Sequence, residues 1–182
     1  MVIDISQNIA GCRVFDGDTP PSFTRVRDIE QGYRLTDVTM CLHNGTHIDA
    51  PSHYISDGAT VDEIPLEYCF GKCQVVFCHG RNIDISGINF SYKRLLFKGG
   101  QLDVALAERI VAQGVVLVGT TKISIADEQC DQVHKILLSH NVVVLEGLVL
   151  KDVIEGEYTL ACFPLKFGGC EASPVRAVLI TD

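Results

Sequence analysis

The sequence has no run of about 18 consecutive apolar residues, which excludes a membrane-spanning helix of ordinary length. Its first residues, MVIDISQNIAG, have neither the basic start nor the long apolar stretch of a secretory signal, so a cytoplasmic protein is expected. Basic side chains are scarce, with 15 lysines and arginines against 23 aspartates and glutamates and a formal net charge of -8. The densest basic stretch is Lys93, Arg94 and Lys98. Such an acidic surface repels phosphate backbones, so no nucleic-acid partner is expected. There is no CxxC pair, which removes the usual zinc-ribbon and thioredoxin-like arrangements.

What remains is a chain of 182 residues, 47% of them hydrophobic. That is enough to close over one core, and a single domain across residues 1–182 is expected. Its eight cysteines, Cys12, Cys41, Cys69, Cys73, Cys78, Cys130, Cys162 and Cys170, are even in number, as in a disulfide scaffold. Several lie inside apolar runs such as CQVVFC and LACFPL, where a free thiol behaves as a small buried hydrophobe. A chain of this size needs no staples, so reduced core cysteines are expected.

Periodicity divides the chain in two. Residues 2–5 read as a short strand, the stretch FDGDTPPSF as turns, and residues 34–42 as a strand that ends at a polar cluster. Residues 61–69 suggest a helical turn, 73–78 a strand, 82–92 connecting chain and 94–97 another strand. Farther on, helical spacing over 102–113 and 130–139 alternates with the apolar runs VVLVG and VVVLEG. This alternation indicates βαβ units and a mixed α/β fold with a partly parallel sheet. Residues 157–167 and 174–180 look like two strands with no helix between them, a hairpin or a second sheet.

The chemistry concentrates in HNGTHIDAPSH, where His43, His47 and His53 surround Asp49. Imidazole and carboxylate are the ligand pair expected for zinc and similar divalent ions. A four-residue spacing of two histidines suits a helix face, but Gly45, Thr46, Ile48 and Pro51 disfavour a helix here. In an extended chain, residues two apart share a face, and all four ligand candidates have odd numbers. Gly45 would then leave room for an ion near the backbone. The bland alternative is a hydrogen-bonded surface turn, although so many polar groups on one face are costly to bury without an ion.

Two more candidates lie in the second half. His134 shares the apolar side of the 130–139 helix with Cys130, Leu137 and Leu138, and Glu146 ends a buried strand, where open α/β folds gather their sites. A satisfied core histidine and an exposed strand-end acid are equally compatible with these positions. His79 and His140 adjoin turn signals and look uncommitted.

These segments resemble a known family. HNGTHIDAPSH is similar to the HxGTHxDxPxH motif of the cyclase family of metal-dependent hydrolases, which includes bacterial kynurenine formamidase. VFDGDTP, HKILLSHNVVVLEGLVL and GEYTLACFPLKFGGCEASPVRAVLI resemble its other conserved stretches, so the likeness spans nearly the whole chain. The resemblance implies the swivelling β/β/α architecture and two divalent ions per chain, zinc or manganese. By it, His43, His47 and Asp49 would hold one ion, while Asp49, His134 and Glu146 would hold the second. His53 would be the catalytic acid and base, and all cysteines, His79 and His140 would lie outside the ligand set. It also implies a homodimer with the pocket near its interface.

The expected reaction is hydrolysis of an arylformamide by a metal-activated hydroxide, N-formylkynurenine and water giving kynurenine and formate. The alternative is the same machinery on a cyclic amide, imide or lactone. A binding module without catalysis is a third reading, although a closed structural metal site has no use for an extra proton-transfer group such as His53. Asp16 and Glu171 replace the family's usual proline and aspartate, and GTTKISIADEQCD lacks its GxDTxSxD pattern. The sequence has no tryptophan to line a substrate pocket, leaving Phe15 or Phe23 to supply an aromatic face.

Overall fold

A computed structural model describes residues 1–78, 80 and 83–181. In chain order the strands and helices are β1 (Val2–Asp4), β2 (Ser22–Arg27), β3 (Leu35–Thr39), β4 (His47–Asp49), β5 (Phe70–Phe77), β6 (Arg94–Lys98), α1 (Val104–Ala112), β7 (Leu117–Thr120), α2 (Cys130–Ser139), β8 (Val143–Glu146), β9 (Gly156–Ala161), β10 (Ala172–Pro174) and β11 (Val178–Ile180). The helical pattern at 102–113 yields α1, whose first turn is capped by Asp103 accepting from the Leu106 N–H at 2.8 Å.

Nine strands form one sheet in the order β1-β11-β9-β5-β6-β7-β8-β4-β10. Its middle, β5 to β8, is parallel, and the flanking pairs are antiparallel. Helices α1 and α2 form the crossovers on either side of β7 and pack against each other. Period-two alternation sorts the central side chains. Leu95, Phe97, Val118 and Val144 join the helix-side core with Leu106, Ile110 and Leu137. Leu96, Leu117, Val143 and Leu145 face a second core with Ile5, Ile48 and Leu160, around which the sheet curls as a half-barrel. The expected α/β class and partly parallel sheet are present, in the swivelling arrangement.

Several local expectations change. The 61–69 stretch makes two 3₁₀ turns, Val61–Glu63 and Leu66–Tyr68. Only the first half of 157–167 is strand, and β9 and β11 pair within the main sheet rather than in a second one. The second sheet is instead the hairpin β2–β3, whose first strand begins directly after Pro20 and Pro21. All its residues are exposed, including Phe23, Val26, Leu35 and Val38. Among the described residues, no helix is long and apolar enough to cross a membrane.

Candidate metal centre

Strand β4 is three residues long, and it lies between β8 and β10. Its alternation turns His47 and Asp49 to one face while Ile48 enters the apolar core fully buried. The antiparallel register sets His47 opposite Glu146 of β8, so the cross-strand pair joins two segments a hundred residues apart. Parity accounts for this pair only. His43 arrives through the turn before β4, and His53 closes the 3₁₀ turn Pro51–His53 after it.

Gly45 serves a different purpose from the one expected of it. Its φ is +72°, and a Cβ there would stand 2.7 Å from Ile9 Cδ1. Its carbonyl accepts from His47 Nδ1 at 3.1 Å. Gly147, just past Glu146, has φ +69° and no space for a Cβ, which would lie 2.3 Å from the Gly45 carbonyl oxygen. The two glycines let the chain segments carrying His47 and Glu146 approach backbone to backbone.

Each buried imidazole is oriented through its other nitrogen. His134 Nδ1 donates to the Cys130 carbonyl at 2.9 Å, one helical turn back, so Nε2 is turned inward, 3.3 Å from Glu146 Oε1 and 3.8 Å from Asp49 Oδ2. His47 Nε2 lies 3.5 Å from both Asp49 Oδ1 and Glu146 Oε2. Glu146 is itself fixed by the Ile125 N–H, which donates to Oε1 at 2.8 Å. His43 Nδ1 lies 2.9 Å from Asp49 Oδ1, close but not aligned for a hydrogen bond, and its Nε2 is 3.4 Å from Glu171 Oε1. The His53 ring packs 4.4 Å from that of His43.

The charges of this metal-free arrangement are strongly coupled. Burial works against a charged His47, yet the facing Glu146 and Asp49 carboxylates prevail and raise it to about 9. For His134, burial is likewise outweighed, here by bonding to Cys130 and Glu146, and the value rises to about 11. Burial also opposes ionisation of Asp49, but the imidazoles around it hold it far below the usual carboxylate range. His53 is lowered, by burial first and by the charges of His43 and His134.

His47 Nε2 and Asp49 Oδ1 are buried without a hydrogen-bond partner. Orphaned polar atoms of this kind are rare in folded proteins, and here they converge with other nitrogen and oxygen donors. Two groups of three ligand atoms lie within 4.8 Å of one another: His43, Asp49 and His53, and His47, Asp49 and Glu146. Both share Asp49, and His134 adjoins the second. The donor set of imidazoles and carboxylates fits divalent ions.

This floor opens into a cavity of about 250 Å³ whose wall includes Phe15, Asp18, His53, Tyr54, Ser124 and Cys130. Phe23 lines a separate cavity of about 880 Å³ with Phe163 and Leu165. His140 is exposed, its Nδ1 on the Ile136 carbonyl at 2.8 Å, and His79 lies outside the described residues. All eight cysteines are free, but only Cys69, Cys73 and Cys162 are core residues as expected, whereas Cys12, Cys41, Cys78, Cys130 and Cys170 are half-buried. Sequence reasoning passed over Tyr54, Ser124, Cys130 and the Ile125 amide. Only Tyr54 and Cys130 left a signal, the first adjoining His53 and the second one helical turn before His134.

A sequence model of the cyclase family matches residues 3–87. Kynurenine formamidase of Paracidovorax citrulli (strain AAC00-1) is 36% identical over 209 residues, covering 100% of this chain and 97% of that protein. The chain belongs to the cyclase family. As a member, it is a metal-dependent hydrolase acting on carbon–nitrogen bonds other than peptide bonds. A solved structure, of a potential metal-dependent hydrolase with cyclase activity, superposes with a TM-score of 0.87 at 29% identity, over 98% of this chain and 96% of the other. An isatin hydrolase bound to the product analogue thioisatinate shares the fold, with a TM-score of 0.86 at 15% identity over 100% and 92% of the two chains.

Proposed function

We propose that this cyclase hydrolyses an N-formyl aryl amide of the N-formylkynurenine type, releasing formate and an aryl amine. The observation that carries the reading is the convergence of the orphaned His47 Nε2 and Asp49 Oδ1 with Glu146 and His134 beneath a cavity edged by Phe15 and His53. His43, His47 and Asp49 would hold one ion, and Asp49, His134 and Glu146 the other, with zinc or manganese fitting these donors. When bound, such ions acidify a water molecule and withdraw electron density from a substrate carbonyl oxygen.

The chain's own residues do the rest. Phe15 offers an apolar face to the aryl ring. His53, on the cavity wall, takes a proton from the attacking water and returns it to the leaving nitrogen as the carbon–nitrogen bond breaks, so one carboxylate and one amine result. The close packing of His53 on His43 supports a ring held ready for transfer on the cavity wall.

A second reading is favoured by one observation. Among the described residues lining the cavity, none is a lysine or arginine that would pair with the carboxylate of N-formylkynurenine. A neutral cyclic amide, imide or lactone needs no such partner. Assaying the zinc- and manganese-loaded protein on N-formylkynurenine, formanilide, cyclic imides and lactones separates the two. The first reading expects the highest kcat/KM for the aryl formamides, and faster turnover of the cyclic compounds would replace it by the second.

A homodimer is part of the same proposal. An isolated two-stranded hairpin is marginal in water, and β2–β3 exposes Phe23, Val26, Leu35 and Val38, which a second copy would cover. Light scattering at micromolar concentration should give twice the 19.9 kDa chain mass. Eight free thiols suit the reducing cytoplasm as its location.

A further inference from the structure

Tyr54 follows His53 in the sequence and has no role in the ligand set. Its ring nevertheless touches both halves of the site. It stacks on His134 with centroids 4.9 Å apart and planes 19° apart, and it meets His53 edge-on at 4.7 Å. Its hydroxyl donates to Asp131 Oδ1 at 3.1 Å. Asp131 lies in the first turn of α2, three residues before His134. The 3₁₀ turn that carries His53 and the helix that carries His134 pack on each other, and Tyr54 is the side chain that pins them together.

Tyr54 adds to the contacts at the nitrogens of the His134 ring, where Nδ1 also lies 3.5 Å from Cys130 Sγ and Nε2 faces Glu146, a restraint on its plane. The Nδ1 bond to the Cys130 carbonyl sets the tautomer and one direction, but rotation about that bond would still swing Nε2 away from Glu146. A coplanar aromatic ring against its face blocks that rotation. His47 is held differently: it lies on a strand paired on both sides, by β8 and β10, and the ring of His43 meets it edge-on at 5.1 Å.

We propose that Tyr54 is a positioning residue for this metal centre: its ring fixes the plane of His134, and its hydroxyl ties α2 to the turn bearing His53. The inference rests on His134 being a ligand, as set out above. It separates the two contributions of Tyr54. The ring acts on the direction of His134 Nε2, and hence on ion affinity, whereas the hydroxyl acts on the spacing between helix and turn.

The test compares the full-length protein with Tyr54→Phe and Tyr54→Leu. Zinc affinity is read by competition with a chromophoric chelator, and histidine side-chain NMR is recorded on the metal-free proteins. Losing an outer residue that orients a ligand costs about 10-fold to 100-fold in metal affinity. Tyr54→Leu should lose affinity in that range, and Tyr54→Phe should recover most of it. In the metal-free spectra, the His134 ring protons should shift in Tyr54→Leu and stay near their wild-type positions in Tyr54→Phe. Circular dichroism establishes that both variants are folded. Should Tyr54→Leu misfold, the Tyr54→Phe and wild-type spectra still decide, because the stacked ring must leave a ring-current shift on His134 in both. Wild-type affinity in a folded Tyr54→Leu, equal losses in both variants, or the lack of that shift would overturn the proposal. A wild-type protein that binds no zinc but keeps the ring-current pattern would sink the metal assignment instead, leaving the positioning of His134 standing.

Discussion

The floor and the outer wall of the site are built differently. On the floor, His47, His134, Glu146 and Asp49 have side chains no more than 6% exposed, and each imidazole has its Nδ1 committed to a backbone carbonyl. On the wall, His43 is 17% exposed and packs on His53, and the carboxylate facing its Nε2, Glu171, is 42% exposed. Rings anchored on backbone carbonyls, with the Tyr54 ring against the face of His134, keep one direction whether or not a ligand is present. Rings that lean on each other and on a solvated carboxylate can adjust. The chain thus puts rigidity beneath the cavity, where it fixes charge, and adjustable rings at the level where a substrate enters.

The harshest way to break this contrast is to remove the residue both parts share. Asp49→Asn should weaken binding of both ions by more than about 100-fold, beyond what loss of an outer residue costs, and abolish turnover. Metal analysis after gel filtration would reveal it. Retention of one full ion would mean that floor and wall are independent sites.

His53→Asn addresses the wall alone. Turnover should fall by about 10²-fold to 10⁴-fold while metal content and fold persist. Because His53 lies within ligand distance of His43 and Asp49, the informative failure is an ion lost along with activity, which would move His53 into the ligand set.

A pH titration of the metal-free protein examines the floor. His47 and His134 keep their protons up to about 9 and about 11, against about 6.5 for histidine in an unfolded chain. Folded-state values above the unfolded one mean that the stabilisation is complete below about pH 6.5 and is withdrawn as pH climbs through the folded values. The melting temperature of the metal-free protein should therefore drop on going from about pH 7 to about pH 10. A flat profile would show that the buried imidazoles are neutral before metal arrives.

The smallest effect is expected at Glu171→Gln. An exposed carboxylate facing a histidine contributes at most about 1 kcal/mol, so metal affinity should change by less than about fivefold. A larger change would give the wall an anchor comparable to those of the floor.

The sequence made the floor legible in part. His47 and Asp49 could be paired by strand parity, and Glu146 by its place at a strand end, because burial on a sheet leaves a period in the chain. Parity did not extend to His43 and His53, which reach the site through turns with no period of their own. The Gly45 and Ile125 backbone groups that orient His47 and Glu146 carry no side-chain signature at all. In the fold, βαβ alternation gave the centre of the sheet, but β2 was hidden behind Pro20 and Pro21, whose turn signal masked the strand starting at Ser22. The position of β10 beside β4 was equally hidden, since a three-residue strand offers too few residues to show alternation.

That short strand sets a timetable. A ribosome working from the first residue onward produces His47 and Asp49 long before Pro174, the last residue of the strand that flanks them. At about 5–20 residues per second, the interval between Asp49 and Pro174 is roughly 6 to 25 s. Throughout it the growing chain displays three imidazoles and a carboxylate with β4 unflanked on that side. The flank of β4 is therefore completed last, after every residue that faces the site from β4, α2 and β8 has been made.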